Sequence, residues 1–377
     1  METTADTLRS DRARRSALYV GLLVALITTS LCLIAMNSLD QGPLAFAVLG
    51  TRFSEGDPEG TKGYDGQFAY YIARDGAASQ PLMDGAALRF QRILYPALSR
   101  ALSLGNGDLL PWVMVAINIA AHSAGAALIA YLAVLCRGPA LAGLIYGLWI
   151  GGQFGVRLNL SEPLCFALAL GAITAYIHQR MRWTIALLIL STLTKELGLI
   201  FAAGLALHAL SQRQGRWAAL ILGGPALAFG VWWLIMLGWF GTLPTIYPAA
   251  RGIRFLPLNG FFSVSPSEFP AEFVFLLLFL VIPSVVLFAA AAVRVLRRRS
   301  LSLGDSLMFA GAGFVFFMPD VSWQDQLAAY RVASSVVICG LLFVAEAAPR
   351  RMKWLGALWL PALVLMALSP LWFSAGS

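Results

Sequence analysis

Apolar runs of about twenty residues alternate with short polar, arginine-bearing turns along almost the whole chain, and this alternation predicts a bundle of membrane helices. The first run, Ser16 to Met36, follows Arg9, Arg12, Arg14 and Arg15 and is long enough to cross a hydrocarbon core of about 30 Å. Those arginines predict a cytoplasmic N-terminus. A cleaved signal peptide is the competing reading, but Cys32-Leu-Ile-Ala-Met36 is followed by no small-residue cleavage site. Residues 37–111 then form a long polar loop on the far side. Trp112 to Leu135 and Ala140 to Val156 predict the second and third spans, around the cytoplasmic turn Cys136-Arg-Gly-Pro139. The outer turn Arg157-Leu-Asn-Leu-Ser-Glu-Pro163 leads into a span over Leu164 to Ile177. Pro163 opens it at a position where the missing N–H costs nothing.

Trp183 to Leu210 is interrupted by Lys195 and Glu196. As one span it would carry Arg213, Arg216, Arg294, Arg297, Arg298 and Arg299 to the outside, against the positive-inside rule. As two legs turning near Thr194-Lys-Glu196 it keeps all of them cytoplasmic. Legs of about 11 to 14 residues rise only about 17 to 21 Å, so neither crosses fully, and Lys195 and Glu196 lie at depth lining a cavity. A Lys-Glu pair that merely holds the turn is the structural alternative. Trp217 to Phe240 leads out to a second loop, residues 241–270, with Arg251, Arg254 and Glu268. Ala271 to Leu296 returns, Leu301 to Met318 goes out to Asp320, Trp323 and Asp325, Leu327 to Ala345 comes back, and Trp354 to Phe373 ends outside. The expectation is one all-α, polytopic membrane domain over residues 1–377, with about 10 to 11 transmembrane or partly spanning helices. No internal repeat is evident.

Composition agrees: with 59% hydrophobic and 12% charged residues, a chain of 377 residues cannot cover a soluble globule with polar surface. The net charge of +8 sits in arginine clusters between apolar runs, which points to membrane orientation and not to nucleic acid. Cys32, Cys136, Cys165 and Cys339 lie in or beside apolar runs with no CxxC or Cys/His cluster, so neither a disulfide framework nor a zinc site is indicated. His122, His178 and His208 fall on separate segments, which argues against a metal centre or a Ser/His/Asp triad.

The candidate chemistry lies in the first outer loop. Asp65 begins a predicted helix to Arg74, with Phe68, Ala69 and Ile72 on one face and Gln67, Tyr70, Tyr71 and Arg74 on another. An aspartate there is either an N-cap, worth about 1 kcal/mol, or a catalytic acid. Farther on, Phe90, Ile93, Leu94, Ala97, Leu98, Ala101 and Leu102 form an apolar stripe, with Arg89, Arg92 and Arg100 opposite, in an amphipathic segment kinked or restarted at Pro96. Those arginines either snorkel or recognise phosphate. The outer face thus collects acids and anion-binding bases, as an enzyme drawing its donor from the membrane requires.

The run Gly63-Tyr-Asp-Gly-Gln-Phe-Ala-Tyr-Tyr-Ile-Ala-Arg74, followed by Arg89-Phe-Gln-Arg-Ile-Leu-Tyr-Pro96, resembles bacterial membrane glycosyltransferases of the GT-C superfamily. A weaker likeness runs through Ser161-Glu162-Pro163 and Thr194-Lys195-Glu196. The resemblance implies a hexosyl- or pentosyltransferase, similar to mannosyltransferases, in the inner (plasma) membrane with an extracytoplasmic active site. It implies a polyprenyl-phosphate sugar donor, a glycan, lipid or protein acceptor, and inversion at the anomeric carbon. It makes Asp65 the general base, gives the donor phosphate to Arg89, Arg92, Lys195 and Arg331, and the substrate to Gln67, Tyr70, Tyr71, Glu162 and Glu196. No cofactor is expected, although a divalent cation on Asp65 and a second acid stays open. No P-loop and no Asp-x-Asp pair suggests a nucleotide sugar. The rivals are a transporter or lipid flippase of a cell-envelope glycan pathway, using Lys195, Glu196 and Arg331 as path residues, and a non-catalytic scaffold that keeps the fold.

Overall fold

The computed structural model describes residues 4–39, 42–244 and 256–364, which are helical with no strand among them. Arg251, Arg254 and the expected outer C-terminus lie outside the described residues. Among the described residues four helices are long and apolar enough to cross a membrane: Leu8–Asn37, Leu110–Leu135, Gly215–Phe240 and Pro270–Arg298. Gln326–Val332 and Ser334–Ala347, bent by 41°, make a fifth if taken together. The segment expected over Ala140 to Val156 is broken, with helices Leu141–Gly147 and Ile150–Arg157 on either side of Leu148 and Trp149. Leu18, Leu22, Leu26, Leu227 and Leu234 stay exposed on the long helices, as side chains meant for lipid do.

The interrupted stretch forms a hairpin of two short legs, Met181–Thr194 and Gly198–Ser211, each 14 residues and therefore about 21 Å long. Lys195 ends the first leg in extended backbone at φ −160° and ψ 143°. The second leg folds back beside the first. The Tyr176 hydroxyl meets His208 Nδ1 at 2.8 Å, so the end of the second leg stands level with the end of Glu162–Ile177, close to where the first leg begins. Gly198 makes the reversal possible, because a Cβ there would come within 2.7 Å of the Thr192 backbone nitrogen and 2.8 Å of the Ser191 carbonyl carbon. Gly198→Ala is therefore expected to destabilise the protein by about 1 to 3 kcal/mol, as overpacking against backbone does. Thermal unfolding checks this, and a midpoint equal to wild type would show that the turn has room.

The long polar loop after the first helix forms a helical cap. The helix expected from Asp65 to Arg74 runs over Gly66–Asp75, and the amphipathic segment divides into Ala86–Phe90 and Leu94–Leu102. The restart falls at Leu94, not at Pro96, so Pro96 occupies the first turn, where proline leaves no helical hydrogen bond unmade. Ala97, Ala101 and Leu102 point outward, as an interfacial face should. Arg100 does not face phosphate: its Nη1 donates to the carbonyls of Ala73 and Arg74 at 2.9 and 2.6 Å, satisfying the open end of Gly66–Asp75. Trp232 Nε1 donates to the Phe90 carbonyl at 3.0 Å and ties the cap to Gly215–Phe240.

Candidate functional site

Under this cap lies a narrow cleft of about 30 Å³, lined by Asp65, Phe68, Ile72, Arg89, Arg92, Asn159, Ser161, Glu162 and Lys195. Gly66 seats the loop helix directly on the Leu158 carbonyl, where any Cβ would collide, and so Asp65 meets the turn that leads to Glu162. The Asp65 side chain makes no capping bond. Its Oδ1 accepts from Arg89 Nη1 at 2.9 Å, and its Oδ2 stands 3.5 Å from Arg331 Nη2. The N-cap reading of this aspartate thus fails, and its carboxylate faces two cations instead.

Each remaining cation also has a carboxylate. Arg89 forks onto Asp84 at 2.7 and 2.6 Å while its guanidinium lies 4.1 Å over the Phe68 ring. Arg92 grips Glu196 at 3.1 and 2.7 Å. Lys195 Nζ donates to Glu162 Oε1 at 2.6 Å, and Arg331 Nε stands 3.4 Å from the same oxygen. Lys195, Glu162 and Arg331 are only 2 to 3% exposed, whereas Asp65 keeps a third of its side chain open to the cleft. Arg89, Arg92, Lys195 and Arg331, expected from three separate segments, thus come together through shared or adjoining carboxylates.

Burial pushes the Asp65 carboxyl up, but Arg89, Arg331, Arg92 and Lys195 outweigh it and hold it well below the usual carboxylate range. For Arg89, burial works against the charge, and Asp65 and Asp84 more than restore it. A carboxyl depressed by folding contributes stability that is complete above its unfolded pKa, near 4, and is lost only as pH falls through the lower folded value. The difference in thermal stability between wild type and Asp65→Asn should therefore stay level from pH 8 to about pH 4 and narrow below it. Narrowing already between pH 7 and 5 would contradict the ion pairing.

Three expected substrate residues do not line the cleft. Gln67 is buried and pins the loop, its Oε1 accepting from Gly50 N at 3.0 Å and its Nε2 donating to the Lys62 carbonyl at 2.8 Å. Tyr70 and Tyr71 pack with Phe68, Tyr95, Leu110 and Met114, under the Arg74 guanidinium. The helix turns them away because Phe68, Ala69 and Ile72 take the cleft side. Glu162 and Glu196 are at the site, held by Lys195 and Arg92.

Three contributors were not anticipated. Tyr64 donates to Asp325 Oδ2 at 2.7 Å and lies 4.9 Å beneath the Arg331 guanidinium. Asp325 also caps Gln326–Val332 by accepting from Leu327 N at 2.9 Å, so one carboxylate ties the first loop to the helix bearing Arg331. Asp84 anchors Arg89, and Asn159, buried in left-handed backbone at φ 50°, lines the cleft. Adjacency to Asp65 could have pointed to Tyr64, and a place five residues before Arg89 to Asp84, whereas nothing local marks Asn159. Among the described residues no group of three His, Cys, Asp or Glu could hold a metal ion. Comparison with known proteins finds no matching family model, curated protein or solved structure.

Proposed function

We propose that the protein is a GT-C-type glycosyltransferase that moves a sugar from a polyprenyl-phosphate donor to an acceptor hydroxyl at the extracytoplasmic membrane face. On this reading its 10 to 11 crossing or partly crossing segments form the scaffold, and the first outer loop is the catalytic cap. The observation that carries it is the Asp65 carboxylate held between Arg89 and Arg331 at a cleft that also presents Arg92 and Lys195.

The acceptor oxygen attacks the anomeric carbon, the bond from that carbon to the phosphate oxygen breaks, and the leaving phosphate keeps the electron pair. The acceptor proton passes to Asp65. In the resting site Asp65, Asp84, Glu162 and Glu196 pair with the four cations, and Asp325 adds a fifth carboxylate through Tyr64, so the cluster carries no excess of positive charge. During transfer the phosphodiester, with one negative charge, becomes a phosphate monoester with nearly two. Asp65 loses its charge in the same step. Arg89 and Arg331 can then pass from the carboxylate to the phosphate with little change in the charge of the site, which favours reaction where water is scarce. The same handover solves a second difficulty: a carboxylate gripped by two cations is a poor base, and donor phosphate that draws them away restores its basicity.

Charges where two half-spans meet would also suit a translocation path. Next to Glu162 and Lys195, however, Cys165, Phe166, Leu188 and Phe201 are fully buried and close-packed, which fits one-sided chemistry better. The test uses purified protein in proteoliposomes with a radiolabelled polyprenyl-phosphate hexose or pentose and a panel of glycan, lipid and peptide acceptors. Label passing from the lipid to an acceptor is the expected result. Label that stays on its lipid but crosses the bilayer would establish the transporter instead.

A further inference from the structure

At the other end of the helices lies a second recess, chemically unlike the first. Ile282–Arg298 from Val286 onward, the end of Ser334–Ala347 and the start of Met352–Trp359 line a groove of about 750 Å³. A helical run from Arg331 to Ala347 rises about 24 Å, so the groove lies near the bilayer surface opposite the cleft. Its wall is apolar, formed by Val286, Ala290, Val293 and Leu355 among others, with Trp354 largely exposed at the mouth.

The rim is basic. Arg294 is already engaged, donating to Asp305 and Glu346 at 3.1 and 2.7 Å. Arg297, Arg298 and Arg351 are exposed, and among the described residues no carboxylate pairs with them. Orientation of the protein in the bilayer requires positive charge near the helix ends, but it does not require an apolar trough beneath that charge.

We propose that this groove is a binding site for one anionic phospholipid of the leaflet opposite the cleft. The phosphate sits under Arg297, Arg298 and Arg351, whose planar forks match its oxygens, and the acyl chains lie along Val286 to Val293. Trp354 stands at headgroup level, where an amphipathic ring is stable. The proposal commits to a lipid because the arginines and the trough are continuous: a soluble anion would use only the rim, and an apolar peptide only the wall. It is independent of what the outer cleft does.

The experiment is native mass spectrometry of the full chain, released from nanodiscs with equal amounts of phosphatidylglycerol and phosphatidylcholine of identical acyl chains. Wild type should retain one phosphatidylglycerol in preference to phosphatidylcholine, and millimolar inorganic phosphate should not displace it. Arg297→Gln/Arg298→Gln/Arg351→Gln should weaken retention about a hundredfold, since each arginine contributes about fivefold. Ala290→Trp, at an exposed position on the wall, should also abolish retention while leaving every arginine in place. Arg213→Gln/Arg216→Gln, at another exposed basic turn, should change nothing. Equal retention of the two lipids overturns the proposal. So does displacement by inorganic phosphate, or an equal loss in the Arg213/Arg216 control.

Discussion

Asp65→Asn protein should transfer sugar about 10²- to 10⁴-fold more slowly than wild type while remaining folded. The substitution keeps shape and hydrogen-bonding capacity but removes the proton acceptor. The loop should hold its place, because Arg89 keeps its fork on Asp84 and Arg331 keeps Glu162 and the Tyr64 ring. Donor binding should be unchanged or tighter, since Arg89 and Arg331 no longer have to leave a carboxylate to meet phosphate. The defect should therefore fall on kcat and not on KM. Had Asp65 been only a helix cap, asparagine would replace it almost silently. Purified variant assayed with a lipid-linked donor, alongside a thermal melt, separates the cases. Transfer near the wild-type rate would remove Asp65 from the mechanism and leave Glu162 as the acid to examine.

Lys195→Met should destabilise the protein by about 3 kcal/mol, the largest loss of stability expected from one substitution at the cleft. Lys195 and Glu162 are both almost fully buried, so deleting the ammonium leaves a carboxylate in apolar surroundings with its nearest partner gone. Arg331, 3.4 Å away, keeps the cost at the lower end of the range for broken buried pairs. Lys195→Met/Glu162→Gln should recover most of the loss, because removing both charges avoids burying one alone. That double variant should still fail to transfer sugar if Lys195 holds donor phosphate. Chemical denaturation of the two variants in the same detergent gives the coupling. Equal stability of wild type and Lys195→Met would mean that the pair is solvated and structurally idle.

Several parts of the architecture were legible because they depend on short-range or one-dimensional physics. Apolar run length gives the long helices directly, and arginine parity around Trp183 to Leu210 favours a hairpin over a single span. The hairpin carries its own sequence mark in Lys195 and Glu196, charges that a simple span could not hold at mid-depth. The loop helix beginning beside Asp65 was equally readable, since its pattern lies within three turns of chain.

Side-chain direction across the loop was not legible. Gln67, Tyr70 and Tyr71 share the helix with Asp65, but which face meets the cleft depends on how the helix docks against Leu110, Met114 and the Leu158 carbonyl. Periodicity defines faces and leaves their partners undetermined. The polar side was the natural candidate for substrate, and the tyrosines instead joined the core, where an amphipathic ring buries large area. Arg100 went to helix-end carbonyls for a similar reason: unpaired backbone acceptors nearby compete with any ligand for a guanidinium.

By itself the sequence determined that this is an all-helical, membrane-type chain with a polar first loop and an acid at the start of a loop helix, and it favoured two short legs over one span at Trp183 to Leu210 without deciding between them. Each follows from hydrophobic length, charge parity or a local helix signal, none of which needs knowledge of distant residues. Only the tertiary structure decided that Arg89, Arg92 and Lys195 line one cleft, that Arg331, some 240 positions from Arg89, reaches its carboxylates from the buried side, and that Asp65 lies between Arg89 and Arg331. Ion pairing acts over a few ångströms in space and carries no trace along the chain, so the balance of charge that sets the basicity of Asp65 exists only once the helices have packed.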